Sequence, residues 1–377
     1  MVTLKVPNAL IIGKQSLVSI TFFFLPLLFF DSGFSGLQTG IIISSITFTG
    51  LLSGLPTGII NDKLSIRYVA VAGMLLESLM FLGLYAFSDF LPVLAFIVAG
   101  SLGGNMIDTS IRGLTLKVTE RRVRGMRLGR FQASNSIGAG IGTAAGGLLL
   151  FLFNFKPVLL ISSAAFVVMA IASFLVTETE KAKFPVRDYA SVFMKKETAL
   201  FLIPLFIFGS HWGAEHTSYA LFLRQNLGLD MLGSGIYMGI PIIILGIASL
   251  LTGRYIDSKG TSRSTFFIGM LLSGAGHILM TVPALPLSFF FRVLHEIGDG
   301  MTFVSYYVGF SRIFRTSMIS GEAGAAASLM LLGSAAASLV FGPIGYAYGF
   351  QWPLIISGIM SIAAVILMRP VRSHLKF

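Results

Sequence analysis

The chain has 377 residues, 55% hydrophobic and only 11% charged, with a mean hydropathy of +0.85, which excludes a water-soluble globular domain. The net charge of +11 does not call for a nucleic-acid partner, because the basic residues sit in short connections between apolar runs, where they set topology. With no cysteine, disulfides, thiolate metal sites and cysteine nucleophiles are excluded.

A helix crossing a hydrocarbon core about 30 Å thick needs about twenty apolar residues. In chain order, such runs fall at 10–31, 36–60, 68–87, 91–117, 128–153 and 156–177, then at 198–222, 233–256, 264–283, 286–312, 321–346 and 351–368. The first is read as a span and not a cleaved leader, since Lys14 interrupts it and no small-residue cleavage site follows Phe30. The alternating pattern of a barrel is missing, so the spans are helices. The predicted fold is an all-α integral membrane protein of about twelve transmembrane helices.

Alternate connections carry the positive charge. One set holds Lys63 and Arg67, then Lys117, Arg121, Arg122, Arg124, Arg127 and Arg130, then Lys181, Lys183, Arg187, Lys195 and Lys196. It continues with Arg254, Lys259 and Arg263, Arg312 and Arg315, and finally Arg369, Arg372 and Lys376. The opposite set holds little beyond Lys156 and Arg224. Lys and Arg are retained on the cytoplasmic side, so both termini are expected there, in the cytoplasmic membrane.

The two halves repeat. Gly58-Ile59-Ile60-Asn61-Asp62 through Arg67 precedes Gly73-Met74-Leu75-Leu76; about 195 residues later Gly253-Arg254-Tyr255-Ile256-Asp257 through Arg263 precedes Gly269-Met270-Leu271-Leu272. The polar stretch 178–197, with Pro185 and an amphipathic run (Val186, Tyr189, Val192, Phe193), is read as a linker on the cytoplasmic surface. The expected division is therefore 1–177, a linker over 178–197, and 198–377. Parallel six-helix halves of this kind place a binding site between them near the midplane.

Gly58, Asp62, Lys63 and Arg67 resemble the signature of the major facilitator superfamily between its second and third helices, and Gly253, Asp257, Lys259, Gly260 and Arg263 resemble the degenerate second copy. Span count, repeat and linker extend the resemblance over the whole chain. Two other family patterns are altered. Gly100 sits near the place of the fourth-helix Arg, with Gly104 matching the following Gly. The fifth-helix antiporter pattern lacks its Pro in Gly142-Thr143-Ala144-Ala145-Gly146-Gly147, while Gly342-Pro343 stands in the eleventh helix. The resemblance implies a conformational latch in which Asp62 and Arg67 meet the start of the eleventh helix near Gly321. Asp257 and Arg263 would form a mirror latch against the fifth.

Ionisable residues inside spans cost about 2.5–3.5 kcal/mol each on insertion scales and mark function by default. Glu77 lies at a depth similar to Asp108, and Asp108 shares a helix face with Arg112. This set is either a structural ion pair or a proton site. In the seventh span His211, Glu215 and Tyr219 share a face, with Trp212 and His216 adjacent; in the tenth Arg292, His295, Glu296, Asp299 and Phe303 do so, with Tyr306 and Tyr307 further along. Depth suggests that Glu215 meets Arg292 and His211 meets Glu296. Lys14 is expected near the inner interface, where its long stem can snorkel. Gly138, Gly142 and Gly146 form a small-residue ridge for close helix packing.

The function expected is a secondary transporter that moves a small organic solute by alternating access, coupled to protons. A uniporter and, less favoured, a membrane-embedded metal-dependent enzyme remain alternatives. No nucleotide-binding Gly-rich loop appears, no catalytic set with an oriented nucleophile is visible, and the His–Glu–x–x–His spacing of zinc enzymes is missing. No cofactor or metal is therefore expected. The expected partners are the solute, a coupling ion and the bilayer, with the chain acting as a monomer.

Overall fold

The computed structural model describes residues 5–117, 124–176, 196–260, 262–313 and 319–367. Among these residues the regular structure is helical, without strands. The first helix, α1, runs Lys5–Phe22, breaks at a turn and resumes as Leu25–Asp31, with Pro26 in the first turn of the second piece, where a missing N–H does no harm. There follow α2 (Gly36–Lys63), α3 (Ile66–Ala86), α4 (Phe90–Lys117), α5 (Arg124–Phe153) and α6 (Phe155–Ala172). The seventh, α7, is Lys196–Ala214, continued through a π turn at Glu215–Tyr219 into Ala220–Gln225. Then come α8 (Met231–Lys259), α9 (Ser262–Leu279), α10 (Leu285–Ile313), α11 (Ile319–Tyr348) and α12 (Gln351–Leu367).

These twelve helical segments of the described residues match the twelve predicted runs, with ends displaced by a few residues. Their boundaries have local causes. Ser35 caps α2 in a reciprocal box: its hydroxyl accepts from the Gln38 N–H while Gln38 Oε1 accepts from the Ser35 N–H. Asp230 caps α8 by accepting from the Gly233 N–H at 2.7 Å, and Gly260 ends that helix at φ 68°, where a side chain would be strained.

Eight of the described helices are long and apolar enough to cross a membrane. Gln351–Ile366 is apolar but shorter. The others, α7, α9 and α10, are the helices that carry His211, Glu215, His277, Arg292, His295, Glu296 and Asp299. Ionisable groups depress their hydropathy, and burial against neighbouring helices compensates for it.

Helix packing repeats with a six-helix offset. The pairs α1–α5, α2–α4, α3–α4 and α3–α6 recur as α7–α11, α8–α10, α9–α10 and α9–α12. The two sets meet along two seams that are themselves equivalent, α5 against α8 and α2 against α11. Small residues make these approaches close. A Cβ on Gly138, Gly142 or Gly146 would strike the carbonyl oxygen of Ile12, Ser16 or Ile20, so the α5 ridge lies directly on the α1 backbone.

The seams are tight at the end that carries the α1–α2, α7–α8 and α11–α12 connections. There Gly36 abuts Gly342, Thr39 Oγ1 is 3.1 Å from the Tyr346 hydroxyl, and Arg224 makes two 2.8 Å bonds to Asp31. Toward the other end, side chains added at Gly54 or Gly58 would meet open space. Among the described residues the α2–α11 seam is thus closed at one end and open around Gly54 and Gly58 at the other, the parted end.

Candidate functional site: two buried ionisable networks

The first network joins α1, α3 and α4. Lys14 Nζ bonds Asp108 Oδ2 at 3.0 Å, with the Lys14 side chain 6% exposed and that of Asp108 32%. Glu77 is buried. A Cβ on Gly104 would lie 2.6 Å from Glu77 Oε1 and 3.6 Å from Lys14 Nζ, so the glycine makes room for both. The expectation that Lys14 snorkels at the interface is corrected: it is buried and paired across helices. Ion pairing removes most of the cost that snorkelling would avoid. The Arg112 side chain lies outside the described residues, so its relation to Asp108 and Glu77 is not described.

The face of α4 that carries Asp108 is polar over two turns. Asn105 donates to Gly50 O at 3.1 Å and accepts from Thr109, while Ser110 donates to Asn61 Oδ1 at 2.8 Å. The Gly50 carbonyl and the Asn61 side chain of α2 therefore hold α4 in register, and Asp108 Oδ1 makes no hydrogen bond.

The second network lies among α7, α9, α10 and α12. Arg292 is 1% exposed and holds two carboxylates at once, Glu215 through Nη1 and Glu296 through Nη2. Its guanidinium carbon sits 4.5 Å above the Tyr219 ring, a cation–π contact that replaces lost hydration. His211 Nε2 bonds Asp299 Oδ2 at 3.1 Å. His295 Nε2 is 3.3 Å from Glu215 Oε1 and 3.9 Å from Asp299 Oδ2. Trp212 stacks on Phe303 with centroids 5.2 Å apart, closing the network on one side.

Glu215 meets Arg292, as the depth argument expects. His211 does not meet Glu296; its partner is Asp299, three residues further along α10. Glu296 is drawn instead onto Arg292, four residues earlier on its own helix. Tyr306 is buried in the same bundle, and the Tyr307 side chain lies outside the described residues. His277 escaped the sequence reading because it stands alone on α9 without an ionisable neighbour at helical spacing. It packs on His295 with ring centroids 4.8 Å apart, and its Nε2 is 3.6 Å from Glu215 Oε1. Its one sequence signal is a lone imidazole in an apolar span.

The two-residue latches are a separate matter. Arg67 donates from Nε and Nη2 to the Val176 carbonyl at 3.2 and 3.1 Å, tying the start of α3 to the end of the short turn Ser173–Leu175 that follows α6. The Asp62 side chain and residues around Gly321 lie outside the described side chains. Asp257 is exposed and Arg263 half-buried.

The profile of the Major Facilitator Superfamily matches residues 15–261 and 218–376, and the chain belongs to that superfamily. Among curated relatives, the multidrug resistance protein MdtH of Aeromonas salmonicida (strain A449) is 34% identical over 250 residues, 65% of this chain and 61% of that protein. MdtH of Aeromonas hydrophila is 28% identical over the same shares; the aligned stretch thus spans about three-fifths of each relative. A mutant form of the nucleoside transporter NupG superposes with a TM-score of 0.80 at 16% identity, covering 100% of both chains. An inward-facing, unoccupied bacterial homologue of the human lysosomal transporter Spinster superposes at 0.78 with 14% identity, covering 99% of this chain and 98% of that one. Such low identities establish the fold. With these relatives, the chain is a multi-pass membrane protein of that superfamily.

Proposed function

We propose that the protein is a secondary active transporter that moves a small organic solute by alternating access, driven by protons. The observation that carries this reading is the Lys14–Asp108 pair, with its lysine buried and its carboxylate one-third open. A carboxylate that can exchange a buried ammonium partner for a proton has two electrostatic states, and the network around it has an arrangement suited to each. Glu77, across Gly104 from Lys14, is the alternative partner for that ammonium when Asp108 is protonated. The reactive unit is then Lys14, Glu77 and Asp108, with Arg112 assigned to it by helix position.

The tight end is read as the outer one and the parted end as the inner, following the basic connections, so the conformation is inward-facing. Residues 1–177 rock against 198–377 about the α5–α8 and α2–α11 seams, and the latches expected at Asp62–Arg67 and Asp257–Arg263 belong to the outward-facing state. Both termini are placed in the cytoplasm and the membrane is the cytoplasmic one. The name of the MdtH relatives supports a drug-like organic solute. Arg292, Glu296 and Tyr219 act as a closed strut of the second half, not as part of the opening.

Reconstituted vesicles test the proposal with ethidium as the transported probe. An imposed pH gradient is expected to drive ethidium against its concentration gradient in the wild type. Asp108→Asn is expected to abolish that accumulation while leaving ethidium exchange at equal concentrations on both sides. Accumulation that persists in Asp108→Asn would remove this residue from coupling. Equilibration without accumulation in the wild type would make the protein a uniporter.

A further inference from the structure

The geometry points to a binding site for one divalent transition-metal ion of the zinc type at His211, His295 and Asp299, with Glu215 and His277 beside them. This inference is independent of the transport reading and of the Lys14–Asp108 pair. It begins with the hydrogen bonds behind the three imidazoles. His211 Nδ1 lies against the Phe208 carbonyl, and His295 Nδ1 is 2.9 Å from the Ser273 carbonyl. A carbonyl only accepts, so both Nδ1 atoms carry the proton. His277 Nδ1 is 2.9 Å from Ser357 Oγ, which can accept its proton while giving its own to the Leu354 carbonyl at 3.1 Å.

All three rings therefore turn an Nε2 toward the same two carboxylates. His295 Nε2 and His277 Nε2 make no hydrogen bond, and neither does Asp299 Oδ1, although the two histidines are fully buried and Asp299 is 2% exposed. A buried acceptor facing a buried acceptor is unfavourable, and something positive must lie between them. Ring Nδ1–H groups anchored on carbonyls or hydroxyls, with Nε2 free, are the usual support of a metal-bound histidine.

Charge agrees with this. His211 donates from both ring nitrogens, to the Phe208 carbonyl and to Asp299, so with His277 and His295 neutral, Arg292 and His211 face the carboxylates of Glu215, Glu296 and Asp299 and one negative charge is left uncompensated in a buried place. One divalent cation that takes the place of the His211 Nε2 proton brings the sum to zero. Arg292 already occupies Glu215 Oε1, whereas Asp299 has no guanidinium partner among the described residues and is the better anionic ligand.

Spacing also fits. Ligands about 2.0–2.2 Å from a tetrahedral zinc are about 3.3–3.6 Å from one another. The His211–Asp299, His295–Glu215, His277–Glu215 and His295–Asp299 atom pairs are 3.1, 3.3, 3.6 and 3.9 Å apart. Both candidate triads, His211–His295–Asp299 and Glu215–His277–His295, bring one atom of each residue within 4.8 Å of the others. The sequence argument against a metal relied on the spacing of ligands along one helix. Here the ligands come from three helices, so that spacing does not apply.

The test is a titration of the full-length, tag-free protein in detergent with Co²⁺, after treatment with a chelator. One equivalent is expected to bind, with the visible absorption bands of a four-coordinate Co²⁺ ion, and Zn²⁺ is expected to displace it and raise the melting temperature. Asp299→Asn and His295→Gln are expected to weaken Co²⁺ binding by more than the tenfold to hundredfold that a lost supporting partner costs. No saturable uptake by the wild type would mean that protons alone balance the network, and would overturn the site. Stoichiometric four-coordinate binding that survives in both variants would place the ion elsewhere and overturn it equally. The wild-type titration needs no variant, and His277→Gln, at the edge of the site, supplies a milder substitution with an expected tenfold loss if either of the others fails to fold.

Discussion

Lys14 and Asp108 lie 94 residues apart and join α1 to α4 through one 3.0 Å ion pair whose two sides differ in exposure. The lysine is sealed in and the aspartate is partly open. Removing either partner therefore has unequal consequences, because the charge left behind is buried in one case and hydrated in the other.

Asp108→Asn leaves the buried Lys14 ammonium to its alternative partner Glu77 and is expected to destabilise the protein by about 2–4 kcal/mol, somewhat below the usual range for breaking a buried pair. Lys14→Met leaves Asp108, which water can reach, and Glu77, which can take up a proton, and should cost less. Melting temperatures of both variants in one detergent check the order. A larger loss in Lys14→Met than in Asp108→Asn would contradict it.

Gly104→Ala changes no charge, yet its Cβ would lie 2.6 Å from Glu77 Oε1. The carboxylate end of Glu77 must move, so transport driven by a pH gradient should fall several-fold while melting changes by about 1 kcal/mol or less, as expected where only a flexible side-chain end yields. Ethidium accumulation in vesicles, compared with exchange, reads this out.

Arg292→Gln leaves Glu215 and Glu296 facing each other without their shared cation. A loss of about 3–5 kcal/mol is expected for removing one partner of a buried ionic set. Arg292→Lys keeps the charge but cannot reach both carboxylates with a planar fork, and should fall between the wild type and the glutamine variant. Thermal unfolding followed by tryptophan fluorescence suits this comparison, since Trp212 stacks within the same bundle.

Arg224→Ala removes the Asp31 bridge at the tight end of the seams. Both partners are substantially exposed, so the pair contributes about 0.2–1 kcal/mol. That amount shifts a two-state equilibrium by up to about fivefold. Because the native chain has no cysteine, a single cysteine placed at Gly58 reports the parted end cleanly. Its labelling by a maleimide should slow in Arg224→Ala, and an unchanged rate would mean that the bridge does not bias the conformation.

The same cysteine-free background checks orientation. Cysteines at Lys63 and Arg254 should be protected from an impermeant reagent added to intact cells, and one at Lys156 should react. The opposite pattern would invert the assignment of the tight and parted ends.

Twelve apolar runs and their duplication were legible in the residue order, because each depends on properties that a segment has alone: its length, its hydropathy and the residues that flank it. The Gly138–Gly142–Gly146 ridge was legible for the same reason, as small residues at four-residue spacing make a flat helix face wherever it docks. Partners were a different matter. That Lys14 takes Asp108, that His211 takes Asp299 and not Glu296, and that His277 completes a ring of imidazoles depend on the rotation, tilt and depth of separate helices. Those quantities are set by packing between segments, which only the folded chain supplies. Even the positive charge that two buried, unpartnered Nε2 atoms call for became visible only once three helices had brought them to the same two carboxylates.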